Sequence, residues 1–144
     1  MPEKIDNFKN PAATASVIVE RDEKILLVRR KHAPYQGRFC FPGGFLNYGQ
    51  ETLERTAQRE LYEETGLRVR QKDLHHLCTN SSPRRDPRGH VIDHVYVILA
   101  SEGIAKANDD ANRVEWREIN RVPKKLAFDH SRDFQFYLKQ RKSN

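Results

Sequence analysis

Three carboxylates, Glu60, Glu63 and Glu64, fall within one stretch, Thr52–Thr65, that reads as a helix stopped by Gly66. At about 100° per residue, with Leu53 at zero, Glu60 falls near 340°, Glu63 near 280° and Glu64 near 20°. Leu53, Ala57 and Leu61 cover roughly 0–80°, so the acidic stripe borders the apolar one. Like charges at i,i+3 and i,i+4 destabilise a helix by a few tenths of a kcal/mol per pair. Beside a core, where screening is weaker, the penalty grows. A hard divalent cation would compensate, and oxygen-only ligands favour Mg²⁺ or Mn²⁺ over Zn²⁺. Arg59, at about 240°, can reach Glu63 and, across the preceding turn, Glu51. The alternative is a solvated acidic face laced with ion pairs. Against it stands the Phe41-Pro42-Gly43-Gly44 loop just upstream, where glycine lets backbone carbonyls approach a metal or phosphate.

The elements that must position this stretch are short. Ala15–Glu20 and Ile25–Arg30 predict a hairpin around Arg21–Lys24. Phe39–Phe41 predicts a short strand stopped by Pro42-Gly43-Gly44. Leu74–Thr79, Val91–Ala100 and Val114–Ile119 predict further strands, separated by an Arg- and Pro-rich loop over Asn80–Gly89 and a polar loop over Ser101–Arg113. Asp129–Arg141 predicts a closing helix with Asp129 as N-cap and Phe134, Tyr137 and Leu138 on one face. Runs of strands broken by two helices predict an α+β fold, a mixed sheet between helices, rather than regular βαβ alternation.

Gly44, Glu51 and the run Arg59-Glu60-Leu61-Tyr62-Glu63-Glu64-Thr65-Gly66-Leu67 resemble the Nudix box, Gly-x5-Glu-x7-Arg-Glu-U-x-Glu-Glu-x-Gly-U, with U a bulky aliphatic residue. The match from Glu51 to Leu67 is complete. Between Gly44 and Glu51 lie six residues rather than five. Either Phe45–Gln50 holds an extra residue or Gln50 takes the Glu position; the x7 spacing from Glu51 to Arg59 favours the first. The resemblance implies the Nudix fold, an α/β/α sandwich with a mixed sheet, and hydrolysis of a nucleoside diphosphate linked to another group. It implies Glu60, Glu63 and Glu64 as metal ligands or water activators, with the Gly43 carbonyl as a further ligand to Mg²⁺ or Mn²⁺. Arg59 and Glu51 would orient the cluster. A late-loop Glu serves as base in several Nudix enzymes, which points to Glu102 here, with Asp109 and Asp110 nearby.

Selectivity lies outside the box. Pro83, sixteen positions after Leu67, matches a mark of Nudix ADP-ribose pyrophosphatases. Pro83–His90 and Leu126-Ala127-Phe128-Asp129-His130 resemble segments of ADP-ribose-cleaving Nudix domains, some fused to adenylyltransferases or found in transcription regulators. The resemblance covers about 11–138 and implies one free-standing domain over 1–144 that cleaves ADP-ribose to AMP and ribose 5-phosphate. Arg84, Arg85 and Arg88 offer planar donor forks for phosphate and ribose oxygens. One of Arg29 and Arg30, with Arg29 taken first, is expected on phosphate or ribose. Phe45 or Phe39 is a candidate to stack on adenine, with a core role the alternative. Other Nudix substrates (oxidised nucleoside triphosphates, dinucleoside polyphosphates, RNA caps) and a non-catalytic ligand-sensing or RNA-binding module remain competing readings.

The chain has 144 residues and a net charge of +6. That charge admits a nucleic-acid partner. Yet it hides five carboxylates between Glu51 and Glu64, set against loop arginines, and this division suits a metal-bound pyrophosphate better than a long polyanion. Apolar runs are far short of the ~20 residues of a membrane helix. No apolar leader opens the chain, and Cys40 and Cys78 do not make a disulfide framework, which together predict a cytoplasmic protein with reduced thiols. The histidines are too dispersed for a metal pair, and no Ser/His/Asp order points to a nucleophile. The family resemblance is compatible with a homodimer.

Overall fold

The computed structural model of the protein describes residues 4, 5, 8–99 and 113–143. Strands β1 (Ala12–Arg21) and β2 (Lys24–Arg29) form the expected hairpin. Its two turn residues, Asp22 (φ 51°) and Glu23 (φ 63°), are both left-handed, the twist a two-residue hairpin requires. β3 (Phe39–Cys40) pairs with β2. β3 ends one residue short of the expected Phe41, and the expected stop at Pro42-Gly43-Gly44 is only a two-residue break at Phe41-Pro42, because Gly43–Phe45 forms β4, antiparallel to β1. A Cβ on Gly43 would lie 2.2 Å from the Ala15 carbonyl oxygen, so here glycine permits a strand pairing rather than ending one.

Helix α1 (Leu53–Thr65) starts at Thr52, whose hydroxyl accepts the Arg55 amide at 3.1 Å. It ends at Gly66 (φ 77°), whose amide donates to the Tyr62 carbonyl at 2.8 Å. β5 (His75–Asn80), β6 (Val91–Leu99), β7 (Val114–Glu118) and α2 (His130–Ser143) follow. The sheet order is β3-β2-β1-β6-β5, with β4 on β1 and β7 on β2. β1 runs parallel to β6, from Ala12 opposite Val91 to Glu20 opposite Leu99; the other pairings are antiparallel.

Alternation along β1 assigns its two faces. Ala15, Val17 and Val19 pack with Ala57 and Leu61 of α1, whereas Ile18 packs with Phe134 and Tyr137 of α2. The helices therefore cover opposite faces, which is the expected sandwich. Fully buried Leu61 and Leu67 each stabilise this packing by roughly 1.5–3 kcal/mol. Tyr137 and Arg141 of α2 both donate to the Glu20 carboxylate on β1, Arg141 as a fork at 2.8 Å to each oxygen. Asp129, expected as the cap of α2, gives its carboxylate to Arg85 instead, at 2.7 and 2.8 Å. Cys40 is buried, Cys78 half-buried, and both are free thiols.

Candidate active site

β1 pairs with β2 at one end and with β4 at the other. A cavity of about 530 Å³ draws on both faces of the sheet here, with Glu60 and Glu64 on one wall and Arg30, Arg85 and Arg88 among its basic lining.

The acidic wall is built by α1 against β4. The Val17 amide donates to Pro42 and the Leu46 amide to Ala13 (both 2.9 Å), so Pro42, Gly44 and Leu46 turn their peptide groups to β1. Gly43 and Phe45, between them, turn theirs away, toward α1. The Gly43 amide bonds the Glu64 carboxylate, and the Phe45 carbonyl accepts from Arg59 at 3.0 Å. A Cβ on Gly44 would stand 2.4 Å from the carboxyl carbon of Glu60, a space that only glycine leaves open.

Arg59 organises the cluster. It forks onto Glu51 at 2.7 and 3.0 Å and reaches Glu60 at 2.8 Å and Glu63 at 3.2 Å. Glu51 also accepts the Asn47 amide at 3.0 Å and the Thr56 hydroxyl at 2.9 Å. The Arg59 fork holds the Glu51 carboxyl down at about 2 against the opposing effect of burial. Glu51 thus keeps the Arg59 partner that its seven-residue spacing predicts, downstream of a turn with Gly49 at φ 74°.

Burial follows the helical angle. Glu63, farthest from the apolar stripe, has a side chain 54% exposed, against 17% for Glu60. Burial, added to the charge of Glu60, pushes the Glu64 carboxyl up to about 8, although Gly43, Arg113 and Arg30 oppose it. Glu60 is also raised, mainly by burial. Two half-buried carboxylates beside a glycine strand, both with pKa raised chiefly by burial, form an all-oxygen donor set that fits a hard divalent cation.

The basic wall comes from loops. Arg30 and Val28, two residues apart, both line the cavity. Arg29, the earlier expectation, lies over the Phe39 ring at 4.3 Å and bonds the Gly37 carbonyl, off the cavity. Period-2 alternation explains this swap. Arg85 and Arg88 line the cavity, as does Phe45, but exposed Pro83 and Arg84 do not. Phe39 is core. Glu102, Asp109 and Asp110 lie outside the described residues.

Sequence reading missed the floor. Asp93, almost fully buried, accepts Thr14 Oγ1 at 2.8 Å and Ser16 Oγ at 3.0 Å, with His130 Nε2 at 3.7 Å and Arg85 at 3.8 Å. Burial works to raise its carboxyl, but these partners hold it below the usual range. Asp93, His130 and Asp133 bring ligand-type atoms within 4.8 Å of one another. The Phe41 amide, however, donates to His130 Nδ1 at 3.1 Å, which puts the ring proton on Nε2 and leaves neither nitrogen a free lone pair. That arrangement suits a hydrogen-bonded floor better than a metal centre. It is not a nucleophilic triad either, since Ser16 and Asp93 both face Nε2. The one signal in the sequence was the Leu126–His130 segment, which carries Phe128 and His130 to the cavity.

The NUDIX domain family model matches residues 9–139. An ADP-ribose pyrophosphatase of Methanocaldococcus jannaschii is 46% identical over 132 residues, covering 92% of this chain and 76% of that protein. The NUDIX domain of Shewanella oneidensis NrtR, solved with ADP ribose, superposes with a TM-score of 0.80 at 28% identity over 96% of this chain and 93% of that one. A bifunctional NMN adenylyltransferase/ADP ribose pyrophosphatase from Francisella tularensis, solved with AMP and a manganese ion, gives 0.75 at 29% identity; the match covers 92% of this chain but 42% of that one.

Proposed function

This chain belongs to the NUDIX domain family, and on that basis we propose that its cavity hydrolyses the pyrophosphate of ADP-ribose to AMP and ribose 5-phosphate. The observation that carries the reading is one cavity lined by both the Glu60 and Glu64 carboxylates and the guanidinium groups of Arg30, Arg85 and Arg88. A pyrophosphate needs both: cations for its oxygens and a carboxylate set for the metal that neutralises it. The 46% identical ADP-ribose pyrophosphatase supports the substrate.

Glu60 and Glu64, with the more exposed Glu63 beside them on α1, would hold Mg²⁺ or Mn²⁺, which when bound would polarise the phosphoryl oxygens and make a coordinated water acidic. Arg59 aims Glu60 and Glu63 and ties them to Glu51. Gly43 fixes the Glu64 carboxylate through its amide. Arg88 and Arg30 offer donors to phosphate and ribose oxygens, and the half-exposed Phe45 ring offers a face to the base. The arginines surround a cavity rather than form a stripe, which favours a small nucleotide over a nucleic acid. No helix of the described residues is long and apolar enough to cross a membrane.

The test is product analysis with Mg²⁺ over ADP-ribose, NADH, diadenosine polyphosphates and oxidised dGTP. AMP and ribose 5-phosphate from ADP-ribose, at the highest kcat/KM of the panel, is the expected result. A low rank for ADP-ribose would overturn the substrate, and turnover unaffected by EDTA would overturn the metal assignment.

A further inference from the structure

Phe128 has φ 55°. A bulky residue in the left-handed region is a genuine outlier, held only where surrounding contacts over-determine it. Those contacts are present. The Ala127 amide donates to the Phe39 carbonyl at 2.8 Å, and the Leu126 amide to Ser131 Oγ at 2.7 Å. Asp129 is gripped by Arg85. The strained residue therefore lies between anchors on both sides, and its side chain lines the cavity.

Three guanidinium groups gather on this one ring. Arg30 lies over it at 4.9 Å, Arg88 at 5.5 Å and Arg85 at 5.8 Å, while Tyr35 meets it edge-on at 5.0 Å. Arg30 follows β2, whereas Arg85 and Arg88 belong to the β5–β6 loop, and the ring is a neighbour common to all three. A ring covers the face of a guanidinium and leaves its N–H edges for oxygen acceptors in the plane. The fork from Arg88 to Asp86 uses Nε and Nη2 at 3.0 and 2.8 Å, which leaves Nη1 outside it. Phe45 lies under the same guanidinium at 4.9 Å.

We propose that Phe128 is a positioning residue: its ring collects Arg30 and Arg88, beside the Arg85 that Asp129 and the Val91 carbonyl already hold, into a preformed cradle for the anionic part of the substrate, in the cavity that Glu60 and Glu64 also line. The inference rests on the site assigned above but not on the identity of the nucleotide. Two variants separate the ring from the backbone. Phe128→Gly accepts a positive φ without steric cost and removes the ring. Phe128→Tyr keeps the ring.

Binding of inorganic pyrophosphate and of ADP-ribose is measured by titration calorimetry in metal-free buffer, alongside melting temperature and the KM and kcat of the Mg²⁺-loaded enzyme. The expected result is that Phe128→Gly weakens both ligands by about tenfold and raises KM by a similar factor. Its kcat and half-saturating Mg²⁺ should change less than about threefold, and Phe128→Tyr should restore binding. Pyrophosphate affinity unchanged in Phe128→Gly would overturn the proposal. So would no measurable pyrophosphate binding by the unmodified protein, or equal losses in both variants that track a fall in melting temperature. Loss of pyrophosphate binding in a protein that leaves ADP-ribose intact would uphold the cradle while refuting the substrate.

Discussion

The carboxyl carbon of Glu60 lies where a side chain on Gly44 would begin: a Cβ there would stand 2.4 Å from it. The obstacle is the far end of a flexible side chain, so Glu60 can swing aside. Gly44→Ala should leave the melting temperature within about 4 °C of the parent while turnover falls about 100-fold, the scale of a misplaced catalytic group. At Gly43 the obstacles are the backbone of Ala15 and Ser16, at 2.2 and 2.8 Å, which cannot move without breaking β1 from β4. Gly43→Ala should therefore destabilise by about 3 kcal/mol. Thermal melts paired with kinetics check the contrast, and equal stability losses in the two variants would contradict it.

Burial and the neighbouring Glu60 charge push the Glu64 carboxyl up to about 8, so its ionised form is disfavoured without a cation. Glu64→Gln should leave the metal-free protein at least as stable as the parent. Turnover should drop by roughly two to three orders of magnitude, and the rise in melting temperature on adding Mg²⁺ should shrink. Undiminished turnover would remove Glu64 from the site.

Arg59 needs its planar fork, not only its charge, because it bonds Glu51 through two nitrogens while touching Glu60 and Glu63. Arg59→Lys should cost about 1–3 kcal/mol of stability and lower turnover by at least about tenfold. Combined with Glu51→Gln, the losses should be less than additive. Strict additivity in a double-mutant cycle would show that the two residues act independently.

Glu20 links β1 to α2. Burial works to raise its carboxyl, but Arg141 and Tyr137 outweigh this and hold it below its ordinary 4.5. Its folded value is thus depressed, so the stabilisation is present above about pH 4.5 and disappears as pH falls through the folded value. Glu20→Gln should be less stable than the parent by about 1–3 kcal/mol near pH 7, and the gap should close as the pH falls below the ordinary carboxylate range. Denaturant melts across that range provide the check; a gap that widens on acidification would reverse the assigned sign.

What lay in the sequence by itself was local. The helical repeat ordered Glu64, Glu60 and Glu63 from the apolar stripe outward, and their exposure follows that order. The reach of Arg59 to Glu51 and Glu63 was equally legible, because neighbours on one helix and its leading turn are fixed by 3.6-residue geometry. The helical repeat likewise put Phe134 and Tyr137 on one face of α2, the face that packs on the sheet. What the tertiary structure decided was long-range. Arg30 rather than Arg29 faces the cavity; β2 buries apolar side chains on both faces, so its pattern gave no sign of which side the site would occupy. Gly43 and Gly44 read as a stop until β1 was laid beside them. Asp93 meets Thr14 and Ser16 only because β1 pairs in parallel with β6, and His130 and Phe128 reach the cavity only because α2 packs across that sheet. Such contacts depend on strand register and layer packing, which no local periodicity encodes.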